Sequence, residues 1–317
     1  MKTLITGAAG FIGFHLTEKL LKNGHEIFGI DNLNNYYDIK LKKNRLSILL
    51  SYENFKFEKI DISDKDSLEN IFRIYHPHRV INLAAQAGVS YSISNPYSYL
   101  DSNLSGFINI VESCRNNNVK SLIYASSSSI YGSNSKIPFA ESDRSNKPIA
   151  LYGATKRANE LIAYAYSHLY GIKTTGLRFF TVYGPWYRPD MAMYIFTKRI
   201  IEKKTITVYN NGKIKRDFTY IDDIVNGTVS AIEKNYECEI FNLGNNKSEH
   251  LMNVIKLIEK QLNIKAKINF KPMREGDMLE TFADITKPKK MLNYNPKTNL
   301  EDGLPRLVDW YKEYYKC

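Results

Sequence analysis

Tyr152 and Lys156 occupy positions i and i+4 of the stretch Tyr152-Gly-Ala-Thr-Lys156. On a helix that spacing puts both side chains on one face, so a phenol and an ammonium can share a site. A fixed cation favours the phenolate, and a phenolate at hand is a general base. Tyr152 is therefore expected to lose its proton more readily than an ordinary tyrosine, with Lys156 as the cause. Upstream runs a row of hydroxyls, Ser126-Ser-Ser-Ser129, closed by Ile130-Tyr131-Gly132. Any helix surface can carry Tyr-x-x-x-Lys by chance. The serine row and a glycine-rich turn near the N-terminus make the pair a candidate for moving a proton and a hydride together.

That turn is Gly7-Ala-Ala-Gly10-Phe11-Ile12-Gly13, between a short apolar run and an amphipathic stretch. Glycines let the backbone approach a pyrophosphate, whose charge meets the helix N-terminus. Asp31 ends the next apolar run. A carboxylate there suits the two hydroxyls of a ribose and repels a 2′-phosphate, so NAD is expected rather than NADP. Asn32, Ala84 and Ala85 are assigned to the same site, and Asp61-Ile62 is expected to border the adenine.

The elements that position these groups follow from periodicity. Lys2–Thr6, Glu26–Ile30, Phe55–Ile60, Arg79–Ala84 and Ser121–Ala125 read as buried strands. Phe11–Asn23, Lys65–Tyr75, Tyr97–Asn117 and Tyr152–Tyr170 carry helical periodicity. Such alternation predicts an α/β fold, a doubly wound parallel sheet of Rossmann type with its ligand crevice at the carboxyl ends of the strands. After Leu177 the pattern loosens into a smaller mixed α/β lobe, with a helix at about Met191–Glu202 and further segments at Thr205–Tyr209, Glu249–Leu262 and Leu304–Tyr314. Asp222–Glu233 and Cys238–Leu243 return to the main sheet. The domain division is therefore interleaved: residues 1–177 with about 215–245 as the dinucleotide-binding domain, and about 178–214 with 246–317 as the substrate lobe.

Composition narrows the class. The chain has 317 residues, 43% of them hydrophobic, enough for a sizeable core. No run approaches the ~20 apolar residues of a membrane span. Three dispersed cysteines argue against a disulfide framework or a zinc site, and no metal is expected. The net charge of +11 comes from scattered lysines, which reads as a solvated surface and not a nucleic-acid interface. A cytoplasmic location is expected.

Several longer motifs carry a family resemblance: Asn82-Leu-Ala-Ala-Gln-Ala-Gly-Val89, Ala125-Ser-Ser-Ser-Ser-Ile-Tyr-Gly132, Leu177-Arg-Phe-Phe-Thr-Val-Tyr-Gly-Pro-Trp186, Arg188-Pro-Asp-Met191, Arg216-Asp-Phe-Thr-Tyr-Ile-Asp-Asp223 and Gly276-Asp277. Over nearly the whole chain they resemble the nucleotide-sugar epimerases among the extended short-chain dehydrogenase/reductases, most closely the glucuronate 4-epimerase branch. The resemblance implies an isomerase that interconverts UDP-glucuronate and UDP-galacturonate through a 4-keto sugar, with NAD as cofactor and a homodimer built on the Tyr97–Asn117 and Tyr152–Tyr170 helices. It makes Ser127 the hydroxyl partner of Tyr152 and Lys156. Arg216 and Arg274 become pyrophosphate clamps, with Asp277 on the uridine ribose and Val208-Tyr209 beside the base. Arg188 is the natural reader of a sugar carboxylate, because a guanidinium fits it bidentately. Thr181, Ser128 and Ser129 add hydroxyls.

Two positions separate the alternatives. Related 4,6-dehydratases follow the catalytic hydroxyl with Asp-Glu, and related decarboxylases keep a Glu in the second place. Here both positions are serines, Ser128 and Ser129, so elimination lacks its proton shuttle. Ser90 stands where many glucuronate epimerases have Arg, a departure that leaves a UDP-glucose/UDP-galactose (or N-acetyl) 4-epimerase as the alternative. A protein that merely senses NAD needs neither Tyr152 nor Lys156.

Overall fold

The computed structural model describes residues 1–134 and 136–317. Seven parallel strands form the large sheet: β1 (Thr3–Thr6), β2 (Ile27–Asp31), β3 (Phe55–Lys59), β4 (Arg79–Asn82), β5 (Ser121–Ser127), β6 (Lys173–Phe179) and β10 (Cys238–Leu243). Their order is β10-β6-β5-β4-β1-β2-β3, and every pairing is parallel. Successive strand residues point to opposite faces. Leu4, Val80 and Leu122 therefore enter one apolar cluster, while their neighbours Ile5, Ile81 and Ile123 enter another. A sheet buried on both faces needs helices on both, which explains the run of βα units. Order reverses at β1, between β2 and β4, so the crevice opens beyond the carboxyl ends of those strands.

The helices in the first half are α1 (Phe11–Lys22), α2 (Ile39–Leu49), α3 (Lys65–Tyr75), α4 (Val89–Ser94), α5 (Pro96–Tyr99), α6 (Gly106–Asn116) and α7 (Leu151–Tyr170). In α3 the buried residues are Leu68, Ile71, Phe72 and Tyr75, a single stripe, and the Asp64 carboxylate caps the helix by accepting from the Ser67 amide at 3.1 Å. Helix α2 is absent from the periodic pattern for a physical reason. Its inward face includes Lys42 and Arg45 beside Leu41, Leu46 and Leu49, so two cations interrupt the apolar stripe.

The segment expected as one helix from Tyr97 to Asn117 is α5, a π-helical turn at Leu100–Ser105, and α6. Asn103 sits in the wide turn. Its side chain accepts from the Gln86 amide at 2.8 Å and donates to Thr155 Oγ1 at 3.0 Å, while its carbonyl accepts from Asn159 at 2.6 Å. These ties draw on backbone and side-chain groups that a regular helix would hold to itself. They fix α7, and with it Tyr152 and Lys156, against the loop after β4.

The smaller lobe contains β7 (Thr181–Tyr183), α8 (Ala192–Ile201), β8 (Ile206–Tyr209), β9 (Lys215–Tyr220), β11 (Ser248–His250), α10 (Leu251–Leu262), β12 (Ile268–Lys271) and α12 (Leu300–Tyr315), while α9 (Ile221–Lys234) and α11 (Thr286–Leu292) pack on the large sheet's side. Strands β11-β9-β7 make one small sheet and β12-β8 another. Strand β9 therefore pairs in the second lobe, and the chain rejoins the large layer only with α9, which packs on α1. The re-entry expected near residue 215 falls at Ile221. The large sheet also extends to Phe179, two residues past the expected boundary at 177, since β6 pairs with both β5 and β10 to that point.

Candidate active site

A cleft of ≈ 760 Å³ runs between the lobes, from the glycine turn to α8 and β8. At one end the turn passes from β1 into α1. Gly7 has φ +71°, and a Cβ there would stand 2.7 Å from the Ala84 amide nitrogen. A Cβ on Gly13 would lie 2.0 Å from the Gly7 carbonyl oxygen. Both contacts are with backbone, so only glycine fits, and α1 can start directly beneath the turn. Helix α1 has no side-chain cap and no acidic residue in its first turn, which leaves its positive end open to a phosphate.

Asp31 lies farther along this end of the cleft, its Oδ1 accepting from the Leu33 amide at 2.8 Å. Burial raises its carboxyl pKa, opposed by the charge of Lys42. Asn32 donates to Asp61 at 2.7 Å, and that bond together with the Ser63 contacts holds the Asp61 carboxyl below its usual value against desolvation. Thr6 ties the floor together, donating to Asn82 at 2.6 Å and accepting from the Ala84 amide at 3.0 Å. Gly10, Phe11, Ile12, Ile62, Ala84 and Ala85 complete the lining. A backbone cradle, an open helix terminus and a carboxylate at the end of β2 together fit NAD.

At mid-cleft Tyr152, Lys156 and Ser127 line one wall. Ser127 closes β5, and its Oγ accepts from the Ser129 amide at 3.1 Å. Beneath it Ser126 donates to Glu160 at 2.7 Å, and the buried Arg178 holds Glu160 with bonds of 2.8 and 3.0 Å. This buried pair joins β5, β6 and α7, and so sets the register of the serine row against Tyr152. The expectation for the Tyr152 phenol is reversed. Burial pushes its pKa above the ordinary tyrosine value, while Ser127 and Arg188 pull the other way. Lys156 donates to the Ala125 carbonyl at 2.9 Å and is itself lowered to about 8 by burial. Desolvation, which spacing does not reveal, outweighs the Ser127 hydrogen bond and the Arg188 charge.

Beyond them lie Ser128, Ser129, Thr181, Arg188, Tyr209, Arg216, Arg274 and Asp277. Arg216 donates to the Lys215 carbonyl at 2.9 Å, and burial lowers its pKa while the Asp277 charge opposes the shift. Its neighbour Asp217 faces away and accepts from the Asn245 and Ala283 amides at 2.6 and 3.1 Å. The Arg274 guanidinium lies 3.8 Å from the Tyr209 ring centroid, and Nη1 reaches Ser90 Oγ at 3.5 Å. The Ser90 departure thus falls beside Arg274. Arg188 is already partnered, its Nε and Nη2 donating to Asp190 at 3.1 and 2.5 Å.

Val208 is the exception among the expected lining residues. It is fully buried behind β8, where Thr207 and Tyr209 face the cleft. Alternation along a strand forbids adjacent residues from sharing a face, so Thr207 replaces Val208. Tyr36, Tyr37, Lys42, Gln86, Asp190 and Arg199 also line the cleft without having been singled out. The inward cations of α2 offered one signal: a cation inside an apolar stripe needs an electron-rich neighbour. Lys42 has Asn34, to whose Oδ1 it donates at 2.7 Å.

The sheet order, the glycine cradle and the Ser127/Tyr152/Lys156 wall define a dinucleotide-dependent enzyme of the short-chain dehydrogenase/reductase type. The profile of the NAD dependent epimerase/dehydratase family matches residues 3–244. UDP-glucuronate 4-epimerase 4 of Arabidopsis thaliana is 45% identical over 330 residues, covering 98% of this chain and 75% of that protein. The crystal structure of UDP-glucuronic acid 4-epimerase from Bacillus cereus with UDP-glucuronic acid and NAD aligns at a TM-score of 0.94 and 36% identity, over 99% of this chain and 100% of that one. The UDP-glucose 4-epimerase of Thermotoga maritima with UDP-glucose aligns at 0.91 and 32%, over 99% and 100%. The chain belongs to the NAD-dependent epimerase/dehydratase family, and its cofactor is NAD.

Proposed function

We propose that this protein interconverts UDP-glucuronate and UDP-galacturonate by inverting C4 of the sugar. The observation that carries the reading is Arg188 in the same cleft as Tyr152, Lys156 and Ser127, with serines at 128 and 129 where elimination would need an acid and a base. When bound, NAD accepts the C4 hydride and returns it. Tyr152 takes the proton of the 4-hydroxyl and later gives one back, and Ser127 donates a hydrogen bond to O4. Lys156 keeps a positive charge behind the phenol, which favours the deprotonated form at the moment of transfer.

Inversion requires the 4-keto sugar to turn and present its other face, so the nucleotide acts as a fixed pivot. Arg216 and Arg274 hold the diphosphate, Asp277 the ribose, and Thr207 and Tyr209 border the base. A 4-keto uronate is a β-keto acid that loses carbon dioxide readily. Ser128, Ser129 and Thr181 are neutral donors that hold its carboxylate without supplying a proton shuttle. The large sheet carries the cofactor and the smaller lobe the UDP-sugar.

A neutral hexose is the second reading, favoured by the charge of Arg188 being met already by Asp190. The deciding measurement is the ratio of kcat/KM for UDP-glucuronate and UDP-glucose in wild type and in Arg188→Ala. Stranding a carboxylate in a partly dry pocket costs ~2–5 kcal/mol, so the variant is expected to lose most uronate activity while binding NAD normally. No uronate preference in wild type, or a ratio untouched by the substitution, refutes the reading.

The exposed Tyr97, Leu100, Ile108, Leu161 and Tyr164 on the helices from α5 to α7 support a homodimer through that face. Among the described residues no helix is long and apolar enough to cross a membrane, and the protein is assigned to the cytoplasm on its expected chemistry.

A further inference from the structure

We infer that Asp190, braced by Tyr36, is a positioning residue that limits the hold of Arg188 on the sugar carboxylate, so that the sugar is released and regripped in each turnover. The inference rests on the uronate reading above. An arginine without a partner grips a carboxylate by two parallel bonds. Here the Nε/Nη2 edge is spent on Asp190, at 3.1 and 2.5 Å. Tyr36 donates to the same Asp190 Oδ2 at 3.2 Å and packs on Tyr91 with ring centroids 4.7 Å apart. Residue 88 permits this: a Cβ on Gly88, whose φ is +106°, would stand 2.7 Å from the Tyr36 hydroxyl. The ion pair is not a core feature. Both side chains line the cleft and keep 22% and 23% exposure.

A sugar carboxylate arriving at the remaining Nη1/Nη2 edge makes a second anion on one guanidinium, and the two carboxylates repel. Its binding is weaker than a solitary arginine would give. The reaction demands this weakness. Turning the sugar about its bond to the diphosphate carries the C6 carboxylate across the pocket, and a carboxylate locked in a full guanidinium fork would hold one face only. When it leaves, Arg188 still has Asp190, so no buried charge is stranded during the turn.

The test uses Asp190→Asn, which keeps the size and an acceptor for Tyr36 while removing the charge. In a Tyr152→Phe background, with turnover silenced and NAD bound, calorimetry is expected to show UDP-glucuronate binding about tenfold tighter after Asp190→Asn, with UDP-glucose unchanged. In the otherwise native enzyme the same substitution is expected to lower KM and kcat together for UDP-glucuronate. Tyr36→Phe, which removes only the brace, is expected to shift both in the same direction by less. Uronate affinity that is unchanged or weakened by Asp190→Asn, or a change shared equally by both sugars, overturns the inference. If the Tyr152→Phe parent itself shows no preference for UDP-glucuronate, the uronate reading fails first, in a measurement that does not involve Asp190.

Discussion

Replacing Lys156 by methionine is expected to stabilise the cofactor-free protein near neutral pH while abolishing turnover. The ammonium is buried against the Ala125 carbonyl, and burial lowers its pKa from 10.5 to about 8. At about 1.4 kcal/mol per pH unit, keeping the charge in the folded chain costs ~3 kcal/mol. Methionine preserves the length and removes that cost, but it leaves the Ala125 carbonyl without its donor, a loss of ~1–2 kcal/mol. A net gain of ~1–2 kcal/mol remains. Its pH dependence has a definite sign. Below about 8 the wild-type lysine is charged in both the folded and unfolded chains, so the whole penalty is present. Between about 8 and 10.5 the folded chain sheds a proton that the unfolded chain keeps, so wild-type stability rises with pH and the gap closes. Urea unfolding of the NAD-free proteins, followed through Trp186 and Trp310, measures the gap, since the two rings pack 5.5 Å apart in the folded chain and separate on unfolding. Taking the difference between the two proteins cancels every other titration. A variant less stable than wild type near neutral pH, or a gap that stays constant as pH rises, would refute the argument that desolvation governs Lys156.

Two other substitutions probe the site. Tyr152→Phe is expected to cut turnover by ~10²–10⁴-fold with NAD affinity retained; near-normal activity would remove the phenol from the mechanism. Asp31→Ser is expected to weaken NAD by about tenfold or more, through loss of charge-assisted bonds to the ribose, and to narrow the gap to NADP. Equal affinities before and after, read by titration of each cofactor, would reduce Asp31 to a turn residue.

Much of the fold could be read from short buried strands and single-stripe helices, because those patterns are local. Lys65–Tyr75 and Cys238–Leu243 match the expected bounds. What escaped was non-local. Helix α2 hides behind Lys42 and Arg45, whose inward placement makes sense only once Asn34, Ala9 and Tyr37 are seen around them. The break at Leu100–Ser105 depends on Gln86, Thr155 and Asn159, all distant in sequence. The site shows the same division. Motifs located Tyr152, Lys156, Ser127 and the glycines, yet the direction of the Tyr152 shift depends on how deeply the fold buries it. The side chain of Val208 lies outside the cleft while Thr207 and Tyr209 line it, a matter of strand phase in which one residue decides the face. The partner of Arg188 lay two residues away in Arg188-Pro-Asp190, a spacing that no periodic pattern marks.

The way the chain threads the two sheets has a mechanical consequence. It leaves the large sheet between Phe179 and Thr181, returns between Tyr220 and Ile221, departs again between Leu243 and Ser248, and comes back once more where Ala283 bridges Phe139 and α11 packs on β10, before α12. A hinge with one strap bends freely; several crossings, most of them anchored in hydrogen-bonded strands, brace one another, and all would have to flex about a common axis. Swinging the lobes apart like jaws is therefore a stiff motion, and compliance is left to surface segments such as the one carrying Arg274 and Asp277. The cleft behaves as a chamber with rigid walls and a soft rim. A sugar that turns over inside it does so within a volume set by the backbone, whatever passes at the mouth.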